Sequence, residues 1–218
     1  LTVQSLQTRL GVVADGIAGP VTYAALFGYM GARTFASVLG ETAAEHFPTY
    51  RIETPLRLAH WFAQFAHESA GFLKFEENLR YTAGRLCLVW PKRFPSLAAA
   101  APFANNPEAL ANNVYGNRLG NDHPGDGWKY RGRGPQLTGK ANYAATASRT
   151  GLDLVNNPDL AADPANFVLI ACDFWAQTNC NGSADLDDLR GITLKINGGY
   201  VGIEERARLL DRAKAVLL

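Results

Sequence analysis

Pro55-Leu56-Arg57-Leu58-Ala59-His60-Trp61-Phe62-Ala63-Gln64-Phe65-Ala66-His67-Glu68-Ser69-Ala70-Gly71 decides how this chain is read. Thr54 places a capping side chain just before a proline suited to a first helical turn. Leu56, Ala59, Phe62, Ala63 and Ala66 recur at helical spacing, and Leu58, Trp61 and Phe65 widen that face. A face so broad belongs to a helix buried on most sides, from Pro55 to about Glu68. An acid that closes an apolar helix is costly to keep ionised, which suits a general acid. Gly71 then loosens the backbone beyond it.

Outward from this helix the chain reads as helical almost throughout. Asn106-Pro107 and Asp163-Pro164 repeat the cap-and-proline signal. Pro164 to about Gln177 carries Phe167, Val168, Ile170, Ala171, Phe174 and Trp175, a second core helix. Ile203 to about Leu217 is amphipathic, with Ile203, Ala207, Leu210 and Val216 inward and Glu204–Arg208 as a surface pair. Between these lies a polar, glycine-rich tract, Tyr115 to Gly139, with too few alternating apolar positions for a sizeable sheet. A loop of that length inside a compact domain is expected to be functional. Residues 1 to about 30 read as a separate helical unit. One short helix, Val3 to Leu10, is followed by the turn Asp15-Gly16-Ile17-Ala18-Gly19 and a second helix from Val21 to Tyr29.

The 218 residues are 47% hydrophobic and 19% charged, the balance of a globular protein. A formal net charge of +1 gives no general pull on nucleic acid, and no reader motif is present. His123 to Tyr143 does lean basic, with Lys129, Arg131, Arg133 and Lys140 against Asp126 alone. That bias suits an anionic polymer or a solvated loop equally. Cys87, Cys172 and Cys180 cannot all pair with one another. If one helix carried both, Cys172 and Cys180 would lie roughly 12 Å apart, too far for a disulfide. Reduced, mostly buried thiols are expected. No stretch approaches the ~20 apolar residues of a membrane span, and the first residues lack the apolar core of a secretory signal.

A His-Glu pair on a helix suggests a zinc protease, but that motif needs a second histidine at position 71, which is Gly71. The four histidines, at 46, 60, 67 and 123, are scattered, so no metal centre and no cofactor is expected. Glu68 instead pairs naturally with Glu77. In one unbroken helix, nine steps of about 100° would set the two about 180° apart, so a break near Gly71 is required to face them together. From spacing alone, a helix-end salt bridge for Glu68 and a surface charge for Glu77 explain the pattern as well.

A resemblance changes that weighting. Ala63 to Phe72, then Glu77-Asn78-Leu79-Arg80-Tyr81, is similar to glycoside hydrolase family nineteen, which includes plant-type chitinases and many bacteriophage endolysins. The likeness continues through Val114 to Asn121, Gly125 to Gly134, Gln136-Leu137-Thr138-Gly139, Asn142-Tyr143, Asn157 to Leu160 and Ile196-Asn197-Gly198-Gly199. It covers roughly residues 33–218, with the motifs in the family's order. The resemblance implies a mainly α, lysozyme-like bilobed helical domain with a cleft, which would follow the small helical unit read in residues 1 to about 30. It implies Glu68 as proton donor, Glu77 as the base that activates water, and Thr138 as the hydroxyl that holds that water. His67, Gln136, Asn142, Tyr143 and Asn197 fall in the substrate-binding set. An inverting mechanism follows, with the carboxylates about 6.5–9.5 Å apart, or more if the cleft is open. One departure stands out: Gln136 follows Pro135 directly, where the family usually has an intervening aliphatic residue. Counting from Gly134 would shift Gln136 and Thr138 by one place, whereas anchoring on Gln136-Leu137-Thr138 and Asn142-Tyr143, where five positions agree, keeps them as given.

Peptidoglycan and chitin share a β-1,4-linked N-acetylhexosamine backbone, so the catalytic residues do not separate them. V-x-x-L-Q-x-x-L followed by D-G-x-x-G-x-x-T-x-x-A-L in residues 1–30 resembles half of a peptidoglycan-binding repeat, which favours the wall polymer. The expected protein is an endolysin acting as a monomer on peptidoglycan glycan strands. It is expected to be made in a host cytoplasm and to reach the periplasm after membrane permeabilisation, without stable membrane insertion. A chitinase and a non-catalytic wall-binding protein are the alternatives.

Overall fold

A computed structural model describes residues 2–218, and among these it contains thirteen α-helices and no β-strand. Four helices open the chain: α1 (Val3–Leu10), α2 (Pro20–Met30), α3 (Ala36–Thr49) and α4 (Pro55–Glu68). Five shorter ones follow: α5 (Ala83–Val89), α6 (Leu97–Ala100), α7 (Pro107–Tyr115), α8 (Asp126–Lys129) and α9 (Lys140–Thr150). Four close it: α10 (Pro164–Gln177), α11 (Cys180–Asp185), α12 (Leu189–Asn197) and α13 (Ile203–Leu217). The caps expected from sequence form: Thr54, Asn106 and Asp163 accept from the backbone N–H of Arg57, Ala109 and Ala165. None of the helices is long and apolar enough to cross a membrane.

The chain divides into two compact units, each assembled from discontinuous segments. Residues up to Phe75, Gly134–Gln136 and Ala161–Leu218 build the first; Glu76–Arg133 and Leu137–Leu160 build the second. In the first unit α4 packs along α13 and also meets α2, α11 and α12, while α3 lies against α2 and α10. Every α4 residue from Leu58 to Ala66 is buried, as the breadth of its apolar face predicts. Trp61, Phe62 and Phe72 enclose Phe27 from α2 in edge-on contacts, with Phe27–Phe62 at 4.7 Å and Phe27–Phe72 at 4.9 Å between ring centres. Such pairs contribute about 0.5–1.5 kcal/mol each beyond the area they bury. Leu6, Tyr23, Leu26, Phe27 and Met30 belong to this same core, so the first two helices are packed into the first unit. Gly40 of α3 makes that packing possible, since a Cβ there would sit 2.5 Å from the Ala24 nitrogen of α2.

The second unit has a smaller core of Leu79, Leu86, Phe94, Ala100, Leu110, Ala111 and Val114. Its only ladder-like pairing among the described residues is two isolated bridges, Glu76 with Arg133 and Arg133 with Leu137. The expected absence of a sizeable sheet in the glycine-rich tract is met by the short helix α8 and these bridges. Cys172 and Cys180 are buried and Cys87 half-buried, all as free thiols, and burial pushes the Cys172 and Cys180 thiols up. The two buried cysteines fall on different helices, α10 and α11, rather than on one.

One buried group on α4 titrates. His60 is fully enclosed, with Nε2 at 2.8 Å from Asp187 Oδ1 and Nδ1 without a partner, and Lys214 of α13 donates to Asp187 at 2.6 Å. Burial holds His60 below its ordinary 6.5, against the upward pull of Asp187. Burial would raise Asp187, but hydrogen bonds from Lys214 and His60 hold it below 3.8. Both groups therefore bind protons more weakly folded than unfolded. Their contribution is complete at neutral pH and is lost as pH falls, first below about 6.5 through His60. The melting temperature should drop between pH 7 and pH 5, and His60→Gln should make that drop shallower. Thermal melts across the range test this, and an equally steep drop in the variant would contradict it.

Candidate active site

Glu68 is the last residue of α4, and the backbone beyond it breaks where sequence required. Ala70, Gly71 and Phe72 take left-handed φ values of 53°, 77° and 61° in succession. Ser69 fixes the break by donating to the Phe65 carbonyl and accepting from the Phe72 N–H at 2.9 Å. Phe72 is thereby turned into the core, a strained conformation that only surrounding packing sustains.

The setting of the Glu68 carboxylate is polar, not the apolar pocket that its helix suggests. Arg206 of α13, fully buried, donates to one Glu68 oxygen and to Gln64 Oε1. Gln136 Nε2 donates to the other Glu68 oxygen at 2.6 Å. Gln64, one turn before Glu68, also donates to Thr193 Oγ1 at 3.1 Å. His60, Gln64 and Glu68 thus form a polar file at four-residue spacing along the face of α4 that meets α13. Gln136 reaches its partner from a left-handed backbone, φ 60°, two residues after Gly134 at φ 54°. That is the shortened Gly134-Pro135-Gln136 segment. His67 lies against Gly202, and its Nδ1 is 3.1 Å from Glu205 Oε2. Asn197 closes α12, half-buried, with Gly198 as the left-handed cap.

Glu77 belongs to the second unit, and both of its oxygens are held. Tyr115 OH donates to Oε2 at 2.7 Å and the Gly132 N–H donates to Oε1 at 2.5 Å, while the Glu77 N–H returns a bond to the Gly132 carbonyl. Burial and the negative charge of Glu77 push the Tyr115 phenol well above its ordinary 10, so it stays a donor. Gly132 lets the carboxylate lie close, since a Cβ there would fall 2.9 Å from Glu77 Oε1 and would make the side chain shift. Thr138 is half-buried; its carbonyl accepts from Asn142 Nδ2 at 2.7 Å, and its hydroxyl has no hydrogen bond among the described residues. Asn142, exposed, spends one amide hydrogen on that contact. Tyr143 is fully enclosed: its hydroxyl donates to the Arg131 carbonyl at 2.8 Å and accepts from Arg133 at 3.2 Å. With no exposed face it braces the Arg131–Arg133 backbone beside Glu77, a correction to its expected place on a sugar.

Three of the four cations of the basic tract, Arg131, Arg133 and Lys140, are paired with carboxylates within the fold. Arg131 pairs with Glu76 and lies 3.7 Å over the Trp128 ring, and Arg133 pairs with Asp159. Lys140 donates to Asp122 at 3.1 Å and to Asp126 at 3.4 Å. Lys140 and His123 hold the Asp122 carboxyl down at about 2. Asp122, His123 and Asp126 place potential ligand atoms within 4.8 Å of one another, and the Lys140 ammonium supplies that cluster's positive charge.

Three of these residues escape a sequence reading. Arg206 is the one with a visible signal, an arginine between Ile203 and Leu210 on the inward face of an amphipathic helix. Tyr115 and Gln64 are recognisable only through the partners that folding brings to them.

The family model for class I chitinases, glycoside hydrolase family 19, matches residues 22–186, from within α2 to just after α11. A glycosyl hydrolase family 19 domain-containing protein of Haemophilus influenzae is 42% identical over 157 residues, which cover 71% of this chain and 76% of that one. An Arabidopsis thaliana endochitinase is 34% identical over 178 residues, 80% of this chain but only 51% of that protein. Chitinase 11 of rice is 54% identical over a shorter stretch of 48 residues, 21% of this chain and 19% of its own. With its all-helical, lysozyme-like architecture and this span of similarity, the chain belongs to glycoside hydrolase family 19, the class I chitinase family.

Proposed function

We propose that this glycoside hydrolase is an endolysin that cleaves β-1,4 bonds in the glycan strands of peptidoglycan. The observation that carries the choice of polymer is the N-terminal turn. Gln7, buried, donates to Asp15 Oδ1 at 2.6 Å, to the Ile17 carbonyl at 3.1 Å and to Thr22 Oγ1 at 3.0 Å, and accepts from the Gly16 N–H at 2.9 Å. One side chain thus rigidifies the D-G-I-A-G turn that resembles a wall-binding repeat. Val13, Ile17 and Val21 around it remain largely exposed, as a binding surface requires. A chitinase is the second reading, favoured by the endochitinases among its relatives.

In the proposed reaction Glu68 protonates the leaving glycosidic oxygen, and Glu77 takes a proton from the attacking water. The Thr138 hydroxyl is uncommitted and can accept from that water while donating elsewhere. Arg206, Gln64 and Gln136 fix the direction of the Glu68 carboxyl, and Tyr115 with the Gly132 N–H fixes that of Glu77. Orientation of this kind confines each proton transfer to one geometry.

Mass analysis of digested peptidoglycan should show cleaved glycan bonds with intact peptide links, and NMR of fresh product should show the inverted anomer. Glu68→Gln should remove at least ~100-fold of the turnover. Cleavage confined to chitin oligomers, or wild-type lysis by the variant, would overturn the assignment.

Thr138→Val and Tyr115→Phe each delete one hydroxyl and keep the shape. Both should lower kcat by about tenfold or more with little change in KM, the pattern of contacts used in the transition state, and Thr138→Ser should recover much of the loss. A rise in KM alone would move these residues to substrate binding.

Ile17→Asp combined with Val21→Asp should weaken sedimentation with purified walls and leave hydrolysis of small soluble fragments unchanged. Substitution is the sound test because deleting residues 1–30 would strip Tyr23, Leu26 and Phe27 from the core. Undiminished wall binding by the double variant would count against a wall-binding role.

A further inference from the structure

The second unit holds a cavity of about 220 Å³ that borders Glu77 and is otherwise lined by Leu79, Arg80, Pro107 and Trp128 together with the polar Glu76 and Asn78. Its charges are unevenly satisfied. Glu76 is paired with Arg131 at 2.5 Å and lies 3.7 Å from Arg133 Nε. Arg131 is further spent on the face of Trp128. Arg80 is different: it is exposed, and among the described residues no carboxylate lies within ion-pair range of its guanidinium. Its backbone, by contrast, is fixed, since Asn78 Oδ1 accepts from the Arg80 N–H at 2.9 Å. The surrounding sequence adds to the imbalance. From residue 78 to residue 107 there are four cationic side chains, Arg80, Arg85, Lys92 and Arg93, and no Asp or Glu.

A pocket that touches the catalytic base, offers an apolar wall and ends in an uncommitted guanidinium fits a short acyl group carrying a carboxylate. Chitin has no such group. In peptidoglycan, alternate sugars bear a lactyl ether extended by a peptide, with methyl groups near the sugar and carboxylates farther out. We infer that this cavity receives the lactyl-peptide substituent, with Pro107 and Trp128 against its methyl groups and Arg80 on a stem carboxylate. The inference rests on the peptidoglycan reading and deepens it: Arg80 is the residue that favours peptide-bearing strands over bare N-acetylhexosamine polymers. The Glu76–Arg131 pair keeps Glu76 from repelling the incoming carboxylate.

The test uses soluble peptide-bearing glycan strands, the same strands with their carboxylates converted to neutral amides, and chitin oligomers. The wild-type enzyme should show a higher kcat/KM on the native strands than on the amidated ones. Arg80→Gln should lower that ratio by about tenfold, Arg80→Lys by less, with melting temperatures unchanged in both. An unaltered ratio in Arg80→Gln, with the strands still cleaved, would overturn the role of Arg80 and leave the peptidoglycan reading intact. Cleavage of chitin oligomers without cleavage of either strand preparation would overturn the peptidoglycan reading itself.

Discussion

A guanidinium enclosed by protein must find its counter-charge inside the protein. Arg206 is such a group, 1% exposed, and the carboxylate that answers it is Glu68. Stranding either partner of a buried pair costs on the order of 3–5 kcal/mol, so the pair ties the register of α13 to the last turn of α4. Gln64 satisfies a further Arg206 hydrogen and passes the constraint on to Thr193 of α12. Lys214, two turns along α13 from Arg206, meets α4 again through Asp187 and His60. The helix that looks from its composition like a purely hydrophobic support is therefore positioned by a polar file. The proposed acid is the end member of that file, and its orientation is inherited from the packing of the first unit.

Glu77 is held on different principles. It is not on a helix, and among the described residues no cation is bonded to it. A backbone N–H from Gly132 and the phenol of Tyr115 take its two oxygens. Gly132 sits between Arg131 and Arg133, whose carbonyl and guanidinium are braced by the enclosed Tyr143. Rigidity here comes from turn geometry and from aromatic hydroxyls too buried to ionise. Glu68 and Glu77 thus stand in environments of opposite kind, one charged and at a helix end, the other neutral and irregular.

Much of this was legible in the sequence where the signal is local. Thr54-Pro55, Asn106-Pro107 and Asp163-Pro164 announce helix starts because capping and the fixed φ of proline act over three residues. The break at Gly71 followed from the need to turn the chain between Glu68 and Glu77. What could not be read are relations that only folding creates. Arg206 lies 138 residues from Glu68, and Tyr115 lies 38 from Glu77. Tyr143 has the composition of a sugar platform and the environment of a core residue, and no local pattern distinguishes the two. Nor does the sequence mark that each unit is built from separated segments, since the glycines and proline around the crossings at 133 and 136 read as part of one continuous loop tract.

The shortened Gly134-Pro135-Gln136 segment has a consequence for how such an enzyme can change. Gln136 is the last residue of its stretch in the first unit and bonds Glu68, whereas Leu137 and Thr138 already belong to the second. Gln136 and Thr138 are therefore separated by a single residue although they belong to different units. Gly134 and Gln136 both occupy left-handed backbone, so the segment has little slack to absorb a change in length. Point substitutions can be tried here one duty at a time, but an inserted or deleted residue changes both at once.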